Sequence, residues 1–467
     1  MRPVSSFELI ACIARFIRDC PLTGNPVRLR RRGKPLCGKG AFRLFMKVCI
    51  GLQEIAGYYI NLANGFKAHG IDAQVVNLTA NRFQYALSDN PFPFVRAHTR
   101  LAAYAAGASR LGNFACRFLM LLIRVPIFIW ALTKFDVFIF SYGETFFRLL
   151  DLPVLGMFRK KLIFVFHGSD ARPPYLCGFL SDRARNVSDR AYLKEVRAQK
   201  TKLKTIEKYA DAVVSAPTYS HFFENPFILS LIVGLPNSAN AESPDDDDDG
   251  NSKGSVRILH APTDPLAKGT ESIRKVVEDL RKKHAIEYRE ITGQPHRTVL
   301  KELQRCDLVI DQIYSDTPLA GLANEAAMFG KPSVVGGYPA MDDFGLGDSD
   351  TPRSEYCHPD KVADSVERLI ADLPYRRQLG KKSREFVLER WKDTEVARRF
   401  ITILNDQIPA DWWYDPHQIR YRHGAGMPEE RVKKEIRRVI SSGGIAALQL
   451  ADKPELEKSI TEFAEET

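Results

Sequence analysis

A chain of 467 residues that is 45% hydrophobic and 27% charged can build two or three ordinary domains with substantial cores, which excludes a disordered, fibrous or low-complexity protein. The net charge of +10 is unevenly spread: residues 1–240 carry 33 Lys and Arg against 15 Asp and Glu, and residues 241–467 carry 34 against 42. The first half is therefore built to meet anions, and charge alone does not choose among nucleic acid, an anionic leaflet and a phosphorylated acceptor.

Residues 1–20 read as a short amphipathic helix whose apolar run is interrupted by Glu8, Arg15 and Arg18; with no small-residue cleavage site after it, a secretory signal is not expected. Val27 to Lys39 is a basic loop carrying Arg28, Arg30, Arg31, Arg32 and Lys34, and 1–43 is taken as an N-terminal extension. The first domain, 44–236, opens with a strand over 44–50 that stops at Gly51, a helix from about Glu54 to His69, and a second strand from Ala73 to Leu78. Residues 99–135 form the longest apolar region, interrupted by Arg110, Arg117 and Arg124 at intervals of seven, so no membrane-spanning helix is expected. That spacing puts the three arginines on one side of a helix as a basic stripe beside Phe118, Leu122 and Ile127. Two readings stay open there: a helix lying on a membrane, and a buried domain helix with snorkelling arginines.

Further strands are expected at Val137 to Ser141, Leu162 to Phe166 and Ala212 to Ser215, each preceded by a helical pattern; such alternation argues a parallel sheet covered on both faces. Residues 237–254 are a linker by composition, and their acidic run Asp245 to Asp249 reads as solvated loop, not as a metal motif. A second alternating unit with a closing helix fills 255–404, and 405–467 is a polar helical extension entered through Trp412, Trp413 and Tyr414. Eight cysteines with no CxxC pair point to free thiols in a reducing cytoplasm, and no metal cage is visible.

Three stretches carry chemistry. Val256 to Thr270 is an apolar strand that ends in a Pro-punctuated turn and delivers Lys268-Gly269-Thr270 to a helix start, where unpaired N–H groups, the helix dipole and a lysine together make a phosphate seat. Asn324-Glu325-Ala326-Ala327-Met328-Phe329-Gly330-Lys331-Pro332 places a carboxylate in a helix that re-enters a strand; a buried carboxylate there can accept paired ribose hydroxyls. His167-Gly168-Ser169-Asp170 follows an apolar strand, so His167 stands at the carboxyl end of a parallel strand, where open α/β sheets bind ligands.

The series His260-Ala261-Pro262, Lys268-Gly269-Thr270, Thr292-Gly293-Gln294-Pro295-His296, Cys306 to Gln312, then EAAMFGKP resembles the C-terminal domain of retaining glycosyltransferases of the family 4 type, closely over 256–400 and more loosely over 44–240. The resemblance implies an α/β, GT-B fold: two Rossmann-like domains facing across a cleft, here with a helical C-terminal extension. It further implies a nucleoside-diphosphate sugar as donor and transfer to a hydroxyl with retention, without metal or other cofactor. The donor phosphates would meet Lys268, Gly269, Thr270 and the loop at Gly51, the distal phosphate the backbone of Gly321 and Leu322, and the base the backbone of Gly293 and Gln294. Glu325 would hold the ribose. His167 would face the donor sugar, with Asp170 fixing its tautomer or capping the next helix.

Two positions depart from the family pattern. Thr263 stands where an arginine often precedes the lysine, and Thr317 stands where the first of two glutamates contacts the sugar, with Asp316 beside it as a substitute. The expected acceptor is lipid-linked or a surface polysaccharide, met in the cytoplasm or peripherally on the inner face of an anionic membrane. The alternatives are a non-catalytic binding subunit and an epimerase or hydrolase on the same fold, which would need an acidic pair not found in the sequence. No nucleic-acid partner is expected, since no recognition motif accompanies the basic charge.

Overall fold

Val137–Ser141 reads VFIFS and Lys161–Val165 reads KLIFV, runs apolar on both faces that are stable only between two layers of helices, and both form central strands of one parallel sheet. The computed structural model describes residues 46–79, 92–105, 107–180, 187–238, 254–338, 344–347 and 350–466. The expected N-terminal helix, the basic loop and the acidic run lie outside these residues.

In chain order the first unit comprises β1 (Lys47–Leu52), α1 (Tyr58–Ala68), β2 (Asp72–Asn77), α2 (Pro93–Ala105), α3 (Arg110–Lys134), β3 (Val137–Ser141), α4 (Leu152–Met157), β4 (Lys161–Val165), α5 (Asp189–Tyr209), β5 (Ala212–Ser215), β6 (Phe227–Leu229) and α6 (Ser230–Val233). The second comprises β7 (Val256–His260), α7 (Pro265–Lys268), α8 (Thr270–Arg281), β8 (Ile286–Glu290), α9 (His296–Arg305), β9 (Leu308–Ser315), α10 (Gly321–Met328), β10 (Ser333–Gly337), β11 (Glu355–Cys357), α11 (Val362–Ala371) and α12 (Leu373–Arg390). Last come α13 (Asp393–Leu404), β12 (Trp413–Tyr414), α14 (Glu429–Gly443) and α15 (Pro454–Glu465).

The first sheet has seven strands in the order β12-β6-β5-β4-β3-β1-β2, parallel except for β12, and the second has five in the order β11-β10-β9-β7-β8, all parallel. Each is sandwiched by helices, giving two Rossmann-like units, the arrangement of the GT-B fold. On one face of the first sheet α1 and α13 bury Tyr59, Leu62, Phe66, Val396 and Phe400; on the other, α3, α4 and α5 bury Ile127, Leu155 and Leu203. The chain crosses back at Trp391, which is buried and donates from Nε1 to the Leu231 carbonyl at 3.2 Å, and α13 then packs on α1 so closely that a Cβ on Gly65 would lie 2.2 Å from the Asp393 carbonyl.

Gly51 lies inside β1, paired with Val76 and Phe140, where the sequence suggested the strand's end. A Cβ there would sit 2.2 Å from the Val76 carbonyl oxygen, so close packing of β1 on β2 is what requires the glycine.

The region expected to carry a basic stripe differs as well. Helix α3 is a single 25-residue helix, and its segment Gly112–Lys134 is long and apolar enough to cross a membrane by length and composition, contrary to expectation. Arg124 is half-buried. It falls on the inward line Cys116, Ile127, Ala131 and donates to His98 Nε2 at 3.2 Å and to the Phe146 carbonyl at 3.3 Å.

The C-terminal extension belongs to the first unit. Trp413 and Tyr414 add the antiparallel edge strand on β6, and α14 and α15 bury Val432, Ile436, Val439, Leu456, Ile460 and Phe463 in the core beneath α5. Between them Gly424 to Met427 threads along both units: Ala425 donates to Leu176 and accepts from Gly178 in the first, and Gly426 donates to Tyr314 in the second.

Two buried histidines make stability depend on pH. His98 accepts from Arg124, and His221 is bound through Nε2 to the Tyr421 carbonyl at 2.6 Å with Nδ1 lacking a partner among the described residues; burial lowers each from the ordinary 6.5 to about 4. The unfolded chain binds these protons first, so the stabilisation is complete above pH ~6.5 and is lost as pH falls toward ~4, by about 3 kcal/mol per histidine at most. Urea midpoints should therefore fall steeply between about pH 6.5 and 4. A flat profile would contradict the burial of both rings as neutral groups.

Candidate functional site

A cavity of about 630 Å³ separates the two units at the carboxyl ends of their strands, the place where open parallel sheets bind ligands because loops and helix N-termini converge there. One wall comes from the loop after β1 and the start of α1 (Ile55 to Tyr58), His167, Tyr219 and Gly234 to Ser238; the other from His296, Asp316, Thr317, Gly321, Asn324 and Glu325.

His167 stands two residues past the end of β4, after Phe166. Its Nε2 is 2.8 Å from the hydroxyl of Tyr59, which is wholly buried in α1, and the edge of its ring meets Tyr58 at 4.8 Å between centroids. Burial lowers its pKa against a smaller upward pull from Asp170, so the ring is neutral at ordinary pH. Asp170 does not reach the ring: its carboxylate accepts the backbone N–H of His167 at 3.0 Å and of Gly168 at 2.9 Å, closing the loop. The expected tautomer-fixing role passes to Tyr59, an aromatic that sequence reading assigned to no role because it sits in an apolar helix.

On the opposite wall α10 begins at Gly321, with Ala320 before it and open space where a Cβ of Gly321 would point. The start of this eight-residue helix thus lines the cavity, and the unpaired N–H groups of a helix start favour an anion. One turn on, Glu325 accepts from His296 Nε2 at 2.7 Å, both side chains about a fifth exposed. His296 is a site residue that sequence reading named only as part of a motif. Leu322 is turned into the core with Leu303 and Phe329, leaving its backbone on the helix end. Thr317 lines the cavity and donates its backbone N–H to Ser315. Asp316 also lines it, joined to Arg172 of the first unit in a buried ion pair. Asn237 and Asn324 exchange reciprocal amide hydrogen bonds at 3.0 and 2.8 Å across the cleft.

The structure thus brings His167, Thr317, Gly321 and Glu325 together. It does not bring the Lys268 group to them. Lys268 ends the short α7, and its Nζ lies 3.0 Å from Oδ1 of Asp311, whose side chain is fully buried on β9. Gly269, at φ +73°, packs against Ile313, which a Cβ would approach to 2.8 Å. Thr270 is bound to His260 Nε2 at 2.9 Å, while His260 Nδ1 meets the Ile310 carbonyl. Above them, Gly426 of the crossing segment lies against Ala267. Thr263, Gly293 and Gln294 are exposed and outside the cavity, the last two at the carboxyl end of β8 just before His296.

Among the described residues no cluster of three or more His, Cys, Asp or Glu is disposed to hold a metal. No protein-family model and no curated protein sequence matches the chain. Solved structures similar to it include HepE from Anabaena in complex with UDP and glucose, at 13% identity and a TM-score of 0.47 over 78% of this chain and 100% of that one. Sucrose-phosphate synthase from Thermosynechococcus elongatus is similar at 14% identity and a TM-score of 0.46, covering 78% and 99% of the two chains. Apo OtsA is similar at 10% identity and a TM-score of 0.47, covering 78% and 100%.

Proposed function

We propose that this protein is a glycosyltransferase that binds a nucleoside-diphosphate sugar in the cleft and passes the sugar, with retention, to a hydroxyl of a lipid-linked or polysaccharide acceptor at the cytoplasmic face of an anionic membrane. One observation carries the reading: a single cavity joins the carboxyl ends of two parallel sheets, with a neutral histidine on one wall and a helix N-terminus followed by a carboxylate on the other.

The donor diphosphate lies at the start of α10, where the N–H groups of Gly321 and Leu322 take the negative charge that grows as the sugar–phosphate bond breaks. The ribose hydroxyls sit on Glu325 and His296, and the sugar faces His167. The acceptor oxygen attacks the anomeric carbon on the face the diphosphate leaves, and its proton goes to the departing phosphate oxygen, so no protein nucleophile, metal or further cofactor is used. This differs from the seat suggested by the Lys268-Gly269-Thr270 motif, because Lys268 is already neutralised by Asp311.

Calorimetry with UDP, GDP and ADP, followed by turnover of the corresponding sugars, is the test, and a folded protein that binds none of them defeats the proposal. Glu325→Gln should weaken nucleoside-diphosphate binding by about 1–2 kcal/mol while inorganic diphosphate binds unchanged, since a charge-assisted bond to ribose is lost and the phosphate seat is not. Equal losses for both ligands would remove Glu325 from the ribose. A second reading, a non-catalytic nucleotide-sugar binding subunit, is favoured by Thr317 in the place of a sugar-binding glutamate; it requires donor binding without transfer or hydrolysis.

A further inference from the structure

The overhang of helix α3 beyond its sheet belongs to neither the core nor the cleft. At about 1.5 Å per residue, α3 is roughly 37 Å long, whereas the adjoining β3 spans roughly 17 Å. Its last turn precedes the amino end of β3, and Arg124 already meets the carbonyl of Phe146, which follows the carboxyl end of β3. Residues 110–122 therefore stand past the sheet on the side where the cavity opens. Helix α2 runs beside them, with Thr99 bound to the carbonyl of Asn77 at the carboxyl end of β2.

On this overhang Phe114 is 69% exposed and Leu119 45%, with Phe118 and Leu122 also exposed; Tyr104 at the end of α2 is 69% exposed. Contiguous exposed aromatic and leucine side chains are unfavourable in water and mark a docking surface. Charge identifies the partner: from Pro91 to Leu122, the part of the chain that builds the overhang, there are four arginines, Arg96, Arg100, Arg110 and Arg117, and no Asp or Glu. An apolar ridge in a segment that carries arginines and no acidic residue of its own suits the boundary of an anionic bilayer, where aromatic and leucine side chains enter the acyl region and arginines remain among the head groups. The helix is long and apolar enough to cross a membrane. Crossing would, however, strip Ile127 and Ala131, both fully buried, out of the first core.

We propose that the α2–α3 overhang lies in the surface of an anionic lipid leaflet, with Phe114, Phe118, Leu119 and Leu122 inserted, and holds the mouth of the cleft against that surface. The proposal deepens the glycosyltransferase reading by naming where its acceptor is met. Its test reads lipid binding and not turnover, so either can fail alone.

Full-length protein is sedimented with phosphatidylcholine vesicles containing about a third phosphatidylglycerol. Binding is expected at low salt, reduced at least about tenfold in about 0.5 M salt, where the Debye length shrinks to a few ångströms. The triple variant Phe114→Ser, Phe118→Ser, Leu122→Ser should bind at least about tenfold less than the parent while still unfolding cooperatively, at a thermal midpoint lowered somewhat because Phe118 and Leu122 are only 38% and 39% exposed. A separate variant, Phe118→Trp, serves even if the triple variant misfolds: its emission should shift to the blue on vesicles and be quenched by brominated lipid. Four results would overturn the proposal: no binding at low salt by folded protein, equal binding by the folded triple variant, an unquenched reporter, or a dimer in sedimentation velocity that the triple variant abolishes.

Discussion

Replacing Lys268 with alanine is expected to destabilise the protein by about 3–5 kcal/mol and to change nucleotide affinity of the remaining folded protein by less than about threefold. The carboxylate of Asp311 is fully buried in β9; its Oδ1 is bound to Lys268, and its Oδ2 has no hydrogen-bond partner among the described residues. Removing the ammonium leaves a charge in the core with nothing to compensate it, which is the costly way to break a buried pair. Removing both charges is different. Lys268→Met with Asp311→Leu should recover most of the loss, because an apolar pair of similar volume avoids both desolvation penalties. Urea denaturation of the two singles and the double measures the coupling. A single-variant loss below about 1 kcal/mol, or a large loss of nucleoside-diphosphate affinity in folded protein, would return Lys268 to the phosphate site.

That reversal shows what the local pattern conveyed and what it could not. The strand, the turn and the helix start around Lys268 are where the sequence places them, with Asp264 capping α7 and Gly269 in the left-handed region. The partner of the lysine is forty-three residues away on a strand whose apolar run, LVID, reads simply as core. A helix start with a lysine looks the same whether the charge faces a ligand or a buried carboxylate. Strands were legible for a related reason. Val137–Ser141 and Ala212–Ser215 stand as expected, since a fully buried parallel strand leaves a continuous apolar signature.

Helix periodicity alone misplaced Arg124. Its heptad spacing from Arg117 is real, but which side of α3 faces the sheet is decided by Cys116, Ile127 and Ala131 together with His98, which gives the guanidinium a place indoors. The extension beyond 405 was illegible for the opposite reason: its polar helices carry a narrow apolar stripe, and their partners, β6 and α5, lie some two hundred residues earlier in the chain. The fold was thus readable wherever a segment's own residues dictate its burial. Of the residues placed at the candidate cleft, His167, just past a strand, and Glu325, one turn into a helix, could be named from their own segments, whereas Tyr59 and Arg172, which act across elements, could not.

His167→Ala is expected to lower turnover by about a hundredfold or more, the usual contribution of one well-placed polar group to a transition state, while nucleoside-diphosphate affinity stays near that of the parent. The ring lies on the wall opposite the helix start and Glu325, so the nucleotide keeps its contacts when the ring is gone, and only the sugar loses one. The neutral state matters, because burial holds the pKa of His167 below its ordinary value and a neutral ring can both accept and donate toward sugar hydroxyls. Tyr59, 2.8 Å from Nε2, governs which nitrogen carries the proton. Tyr59→Phe should therefore reproduce part of the loss in kcat with little change in KM, and should move the acid limb of the kcat profile, which a merely packed tyrosine would not. The direction follows from the same geometry: without the buried hydroxyl the ring is freer to take up solvent and a proton, so the limb shifts upward toward the ordinary histidine value near 6.5. A His167→Ala variant that keeps its turnover, or one whose nucleotide affinity collapses, would show that the histidine supports the loop alone, and the donor sugar would then have to be sought against Asp316 on the opposite wall of the cleft.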